Sequence, residues 1–132
     1  MLAHETLPTE LQNIIKYEDL SISYLYLFNI QWFLYKRNIW VNTNLNLFTS
    51  RFILCHEIWH YIAWDKKDLI WVPFWKNPNE KQADNFAMEI LLPEDELLEA
   101  CETYERDLNI LEKVFWVEKE LIEKRIKKLI WN

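Results

Sequence analysis

The sequence predicts one α+β domain over residues 1–132, in which a small antiparallel sheet packs against two central helices and further helices follow at the C-terminus. Three observations predict this class. Segments with strand composition occupy the first third of the chain. Apolar residues at helical spacing dominate the rest, and the middle third holds two of the three histidines, four residues apart. A hydrophobic fraction of 51% in 132 residues suffices for one buried core.

The N-terminal third predicts a helix and a β-hairpin. A short helix is expected over residues 8–17, with Thr6 as its N-cap. The stretches SISYLYL and IQWFLY have strand composition, and KRN separates the second from IWVN, which indicates a hairpin over residues 30–42. Because the chain has no glycine, left-handed turn positions should fall to Asn or Asp, and Asn38 is the residue expected in this turn.

A loop over residues 42–46 should lead into the first central helix, at about 49–64. Apolar residues recur there at helical spacing. The segment 65–79 contains two of the four prolines, which favours a loop or a short strand. The apolar residues of the helix are Phe52, Ile53, Ile58, Trp59 and Ile62.

The second central helix is expected over residues 78–92, because Pro93 stops it. Two more helices should follow, at about 94–104 and 107–131. The last one carries an apolar stripe that predicts packing against the core, while docking of a partner is the alternative. The stripe consists of Ile110, Val114, Val117, Leu121 and Ile122.

Composition excludes several classes of function. The net charge is −6, which argues against nucleic-acid binding because such binding depends on neutralising phosphates. Two cysteines, Cys55 and Cys101, do not form a disulfide framework, so a reducing cytoplasm is expected. We expect no signal peptide and no membrane span, because neither a basic start with an apolar run nor a long uncharged apolar stretch is present.

The segment CHEIWHYIAW contains the pattern His-Glu-x-x-His. On a helix, His56 and His60 lie one above the other on the same face, which is the arrangement that two imidazoles need to bind one Zn²⁺. Glu57 is rotated away from that face, beside the metal, where it can accept a proton from a water molecule. The structural alternative is two hydrogen-bonded core histidines with a glutamate facing solvent.

A catalytic zinc needs a third protein ligand, and the next helix offers one. Glu80 lies on the same face as Asp84 and two alanines, which allow close approach to the first helix. Asp84 is then placed to hydrogen-bond the far nitrogen of a ligating histidine. From spacing alone, Glu80 fits a capping box with residues 77–79 equally well. Glu89, on a different face, is a weaker rival ligand.

The segments RFILCHEIWHYIAW and EKQADNFAMEILLP resemble the two motif helices of the ImmA/IrrE family of zinc peptidases. NIWVNTNL resembles the strand and loop before the first of these helices, and the C-terminal segment DLNILEKVFWVEKELIEKRIKKL is similar to the family's closing pattern. The resemblance implies zinc ligands at His56, His60 and Glu80, and Glu57 as the general base. Asp84 corresponds to the carboxylate that supports a ligating histidine in thermolysin-like enzymes.

The resemblance implies a zinc-dependent endopeptidase that cleaves a helix-turn-helix transcriptional repressor of a mobile element or stress pathway. The alternative is a non-catalytic zinc-binding antirepressor, which captures its regulator without cleaving it. Trp59 replaces a glycine that is frequent in the family, so this side chain either narrows the substrate groove or packs inward.

Overall fold

The computed structural model describes residues 2–28, 30–63 and 80–130. In these residues, six α-helices and three strands follow a short 3₁₀ helix (Ala3–Thr6). The α+β class is confirmed, including the additional helices toward the C-terminus. The helices are α1 (Thr9–Tyr17), α2 (Leu47–Ala63), α3 (Glu80–Leu91), α4 (Glu94–Thr103), α5 (Leu108–Phe115) and α6 (Lys119–Ile130).

The sheet contains β1 (Ser21–Leu25), β2 (Trp32–Tyr35) and β3 (Asn38–Asn42) in the order β1-β3-β2. β2 and β3 form the predicted antiparallel hairpin. β1 pairs with β3 in parallel, so the sheet is mixed and the prediction of a wholly antiparallel sheet is wrong. After β1 the chain first forms β2, at the opposite edge of the sheet. The hairpin then places β3 between β1 and β2.

The hairpin turn differs from its prediction. Tyr35 pairs directly with Asn38, so the turn contains only residues 36 and 37, and Asn38 already belongs to the strand. Lys36 takes the left-handed conformation instead, with φ of 54°. The assignment of Asn38 to this position is therefore wrong, because the strand pairing decides which residues remain free to turn.

The N-terminal helix begins at Thr9, with Pro8 at the N-cap position. Thr6 is the last residue of the 3₁₀ helix, and its hydroxyl donates to the carbonyl oxygen of Ala3 at 2.7 Å. Thr6 is thus not the N-cap of α1, as the sequence predicted, because its side chain closes the preceding turn.

α2 is the central helix of the domain. It begins at Leu47, where the Asn46 side-chain oxygen accepts a hydrogen bond from the Thr49 amide at 2.8 Å. α3 packs along α2, and both Ala83 and Ala87 on α3 are fully buried, as expected for a close approach. Residues 64–79, with their predicted loop or strand, lie outside the described residues.

The helix predicted over residues 107–131 is in fact two helices. The chain breaks at Trp116, which has φ of 57°. The buried Arg51 guanidinium donates to the carbonyl oxygens of Phe115 at 2.8 Å and Trp116 at 2.6 Å. Arg51 thereby satisfies carbonyl groups at the helix end that would otherwise lack partners, and the break becomes stable.

The apolar stripe of this segment consequently has two environments. Val117 and Ile122 are buried, as predicted, but Ile110 and Val114 on α5 are 40% and 45% exposed.

The core lies where the inner face of the sheet meets α2, α3 and the C-terminal helices. No helix in the described part of the chain is both long and apolar enough to cross a membrane. Core residues include Leu11, Ile39, Val41, Leu54, Ile58, Tyr61, Leu92, Leu97, Leu111, Val117 and Ile122.

Candidate metal centre

α2 holds two buried histidines at successive turns. The imidazole rings of His56 and His60 lie 4.7 Å apart between centroids, and their Nε2 atoms face each other at 3.0 Å. Both rings are almost inaccessible to solvent. The helical spacing of four residues produces this alignment, because it returns the second side chain to the face of the first.

α3 brings a carboxylate to the same point. Glu80 Oε1 lies 2.9 Å from His60 Nε2, and Glu80 Oε2 lies 2.9 Å from His56 Nε2. Each of the three residues offers one possible ligand atom, and these three atoms all lie within 4.8 Å of one another. Nitrogen and oxygen atoms with free electron pairs rarely gather so closely without a proton or cation among them.

The donor set fits a divalent metal ion. Zn²⁺ is bound by imidazole nitrogens and carboxylate oxygens at about 2.0–2.2 Å, which separates tetrahedral ligand atoms by roughly 3.3 Å. The distances between the donor atoms here are close to that separation and need only a small expansion to admit an ion. Three protein ligands also leave a fourth position for water, as in catalytic zinc sites.

Asp84 lies one turn beyond Glu80 on α3. Its Oδ1 atom accepts a hydrogen bond from His56 Nδ1 at 2.7 Å. A proton held on Nδ1 leaves the lone pair of Nε2 directed at the cluster, which is the tautomer that binds a metal. The structure thus brings Asp84 to the position that the sequence indicated.

Glu57 lies beside this cluster without belonging to it. Its Oε1 atom is 3.9 Å from His56 Nε2, and the side chain is buried. Burial raises the pKa of Glu57 to about 7, and the positive charge of His56 only partly opposes this effect. A carboxylate with a pKa near neutrality is suited to accepting and returning a proton.

The two histidines differ in protonation although they are neighbours. Burial lowers the pKa of His56, but the hydrogen bond to Asp84 and the charges of Glu57 and Glu80 outweigh it, so the pKa is raised. Burial and the charge of His56 lower the pKa of His60 to about 4. His60 is therefore neutral near pH 7 and available as a ligand.

Aromatic side chains enclose the imidazoles. Trp59 is half-buried and packs edge-on against the His60 ring, with centroids 5.4 Å apart. Trp32 contacts His56 in the same way at 6.2 Å, and its indole is within hydrogen-bonding reach of Glu57. The sequence interpretation missed Trp32. The signal that could have found it is strand periodicity. Trp32 and Leu34 are two residues apart on β2 and therefore lie on the same face of the sheet, and Leu34 is buried.

The structure distinguishes between Glu80 and Glu89, the two candidates for the third metal ligand. Both Glu80 oxygens contact the histidines, whereas Glu89 is exposed and is not among the residues of the cluster. The capping-box alternative for Glu80 involves residues 77–79, which lie outside the described residues, as does the helix start predicted at residue 78.

Comparison with known protein families bears directly on this site. The model of the peptidase M78 family, described as the IrrE N-terminal-like domain, matches residues 15–127. The chain belongs to the IrrE N-terminal-like family. This match confirms the resemblance seen in the two motif segments. A separate search found no curated protein that matches the chain. The IrrE N-terminal-like match includes α2, α3 and the strand that carries Trp32, so every residue of the candidate centre lies within it.

Membership of the IrrE N-terminal-like family supports a metallopeptidase-like role, and the His56, His60 and Glu80 cluster is a possible metal site for such a role. All three side chains lie within the range of the chain that the family matches.

Proposed function

We propose that the protein is a zinc-dependent endopeptidase. The observation that carries this proposal is the convergence of His56, His60 and Glu80 within 4.8 Å of one another, with the Glu57 carboxylate immediately beside them. The family match to a peptidase supports the same activity. The metal would be held by these three side chains, and zinc is the ion that suits two imidazoles and one carboxylate.

Each residue has a distinct part in the proposed reaction. When bound, Zn²⁺ would supply Lewis acidity and lower the pKa of water. Glu57 accepts a proton from the attacking water and delivers it to the leaving amine, for which its raised pKa prepares it. Asp84 keeps the His56 imidazole in the tautomer that directs Nε2 at the centre.

The position of β2 supports a polypeptide substrate. Within the described residues, β2 is an edge strand, since it pairs with β3 on one side only. Trp32 on this strand lies next to the Glu57 carboxylate. An extended polypeptide can add to an exposed strand edge through main-chain hydrogen bonds, which would bring a peptide bond near the centre. Trp59 beside His60 would restrict the size of the substrate side chains.

The proposed substrate is a helix-turn-helix transcriptional repressor of a mobile element or stress pathway, as the family resemblance implies. The net charge of −6 supports a protein partner in preference to DNA. The thiols of Cys55 and Cys101 are free and buried, which suits a reducing cytoplasm.

A second function, capture of the repressor without cleavage, is favoured by a separate observation. Tyr26 and Phe28, in the connection between β1 and β2, are 60% and 80% exposed, and large exposed aromatic side chains are typical of protein interfaces. A zinc-binding antirepressor of this kind would need the metal ligands for its stability but would not need Glu57.

The Glu57→Gln variant separates the two functions. We expect it to retain zinc and to lose at least about 100-fold in cleavage rate. Among the described residues, Glu57 is the carboxylate that lies beside the cluster while Glu80 and Asp84 are engaged by the histidines. The measurement is the appearance of fragments by mass spectrometry when zinc-loaded protein is incubated with a panel of purified helix-turn-helix repressors. Glu89→Gln on the exposed side of α3 is the matched control.

Cleavage by wild type and Glu89→Gln, with none by Glu57→Gln, supports the peptidase. Equal cleavage by all three proteins contradicts the role of Glu57. A stable complex with an intact repressor, formed equally well by Glu57→Gln, supports the antirepressor instead.

A further inference from the structure

We propose that Trp32 is a positioning residue that orients the Glu57 carboxylate toward the metal centre. This role rests on the proposed peptidase function. Trp32 does not ligate the metal or touch the reacting atoms in this account. It acts through Glu57, by occupying part of the carboxylate with a hydrogen bond.

The sheet register directs Trp32 toward α2. Trp32 pairs with Val41, and both this valine and Leu34, two residues along β2, are buried on the inner face. Side chains on that face meet α2, which carries the histidines and Glu57. A shift of one residue in the register would place Trp32 on the opposite face of the sheet, so the pairing itself determines the contact.

The contact joins a single donor to a carboxylate whose terminal torsion is soft. Tryptophan has one polar hydrogen, on Nε1, and in this structure the indole is within hydrogen-bonding reach of the Glu57 carboxylate. The same ring packs edge-on against His56, with a centroid distance of 6.2 Å, and this contact favours one orientation of the indole. Because the terminal torsion of glutamate is soft, a fixed donor is what holds the carboxylate plane in one orientation.

The approach of Glu57 to His56 defines the useful orientation of the carboxylate. Its Oε1 atom lies 3.9 Å from His56 Nε2, at the border of the donor cluster. Burial excludes water from most of the side chain, so water cannot replace the indole donor at low cost. A carboxylate that loses the Trp32 hydrogen bond is expected to sample orientations that direct neither oxygen at the centre.

The sheet offers a matched control for Trp32. Trp40 on β3 pairs with Phe33, and the two rings pack at 5.3 Å on the outer face. Trp32→Phe and Trp40→Phe therefore remove the same chemical group from the same sheet, one from the inner face and one from the outer face. We expect only the first change to affect Glu57.

The first test needs no substrate. In a ¹H–¹⁵N spectrum of the indole groups, Trp32→Phe and Trp40→Phe identify the two resonances. In Glu57→Gln we expect the Trp32 indole proton to move upfield and to exchange with water about tenfold faster, because a neutral amide oxygen is a weaker acceptor than a carboxylate. The Trp40 resonance should not change. An unchanged Trp32 resonance overturns the proposal.

The second test measures catalysis on whichever repressor the wild type cleaves. Trp32→Phe should lower kcat about tenfold and leave both KM and the zinc content within twofold of the wild type, whereas Trp40→Phe should resemble the wild type. A structural defect would instead lower zinc content or stability together with kcat. Unchanged kcat in Trp32→Phe overturns the positioning role and leaves the peptidase proposal standing. Failure of the wild type to cleave overturns both, even where the indole spectrum demonstrates the hydrogen bond.

Discussion

Two residues of the centre, Glu57 and His60, are held in surroundings that disfavour their charged forms. Burial raises the pKa of Glu57 to about 7 and lowers the pKa of His60 to about 4, so both side chains tend toward neutrality in the metal-free protein. A divalent cation would stabilise the charged form of the nearby Glu57 carboxylate, and it binds imidazole in the neutral form that His60 already has. The residues thus have the protonation behaviour expected of a metal site.

The pH dependence of stability tests the state of Glu57 in the metal-free protein. Its folded pKa of about 7 lies above the ordinary value of 4.5, so the folded state binds this proton more tightly than the unfolded state. The corresponding stability is fully present below about pH 4.5 and is lost as the pH rises to about 7. Glu57→Gln lacks this loss. The quantity to compare is the free energy of unfolding of Glu57→Gln minus that of the wild type. This difference should be larger at pH 8 than at pH 4 by up to about 3 kcal/mol.

Urea unfolding in the presence of a chelator, at pH 4, 6 and 8, measures this difference. Glu89→Gln serves as the exposed control. A difference between wild type and Glu57→Gln that is the same at all three pH values contradicts the described environment of Glu57.

Residues on one helix could be predicted from spacing, and residues that meet across elements could not. His56, Glu57 and His60 follow from a local pattern, because helical geometry alone determines their relative directions. Glu80 had two equally good local explanations, and the packing of α3 against α2 brings its carboxylate to the histidines. Trp32 carries no motif, and its place depends on the register of a sheet.

Among the elements, α2 connects the metal centre with the N-terminal 3₁₀ helix and with the junction between α5 and α6. Arg51, five residues before His56, is buried and donates to the backbone and hydroxyl of Thr6 as well as to the carbonyls of Phe115 and Trp116. Its guanidinium also lies over the Trp116 ring at 5.8 Å. The 3₁₀ helix and the junction between α5 and α6 are therefore fastened to the helix that carries the histidines.

Replacement of Arg51 by methionine tests this connection. Arg51→Met keeps an unbranched side chain but removes the hydrogen bonds, which leaves carbonyl groups at the end of α5 without donors. We expect the free energy of unfolding to fall by about 3 kcal/mol, as urea unfolding would measure. Arg37→Met, in the exposed hairpin turn, should change it by less than about 0.5 kcal/mol. Equal stability of the two variants contradicts the role of Arg51.

The elements themselves were predicted where their signal is local. Periodic apolar residues indicated α2, Pro93 marked the end of α3, and strand composition with a short polar break indicated the β2–β3 hairpin. The break between α5 and α6 was missed because the residue at the break, Trp116, is not a typical helix terminator. Its left-handed conformation depends on Arg51, which lies 65 residues away in sequence.

At the scale of the whole molecule, the fold joins three separate parts of the sequence at one place. β2 contributes Trp32, α2 contributes the histidines and Glu57, and α3 contributes Glu80 and Asp84. The composition and family pattern were enough to predict the α+β class, since that class requires only the kinds of element present and their order. The parallel pairing of β1 was not predicted, because it depends on how the chain crosses the hairpin.

The central claim is that side chains of α2 and α3 together bind one divalent metal ion. Zinc content, measured by mass spectrometry after zinc loading and dialysis, tests it most directly in the wild type, His60→Ala, Glu80→Ala and the exposed control Glu89→Ala. We predict about one zinc per chain in the wild type and in Glu89→Ala, and loss of most of it in the other two variants. Equal zinc in all four proteins would contradict the claim.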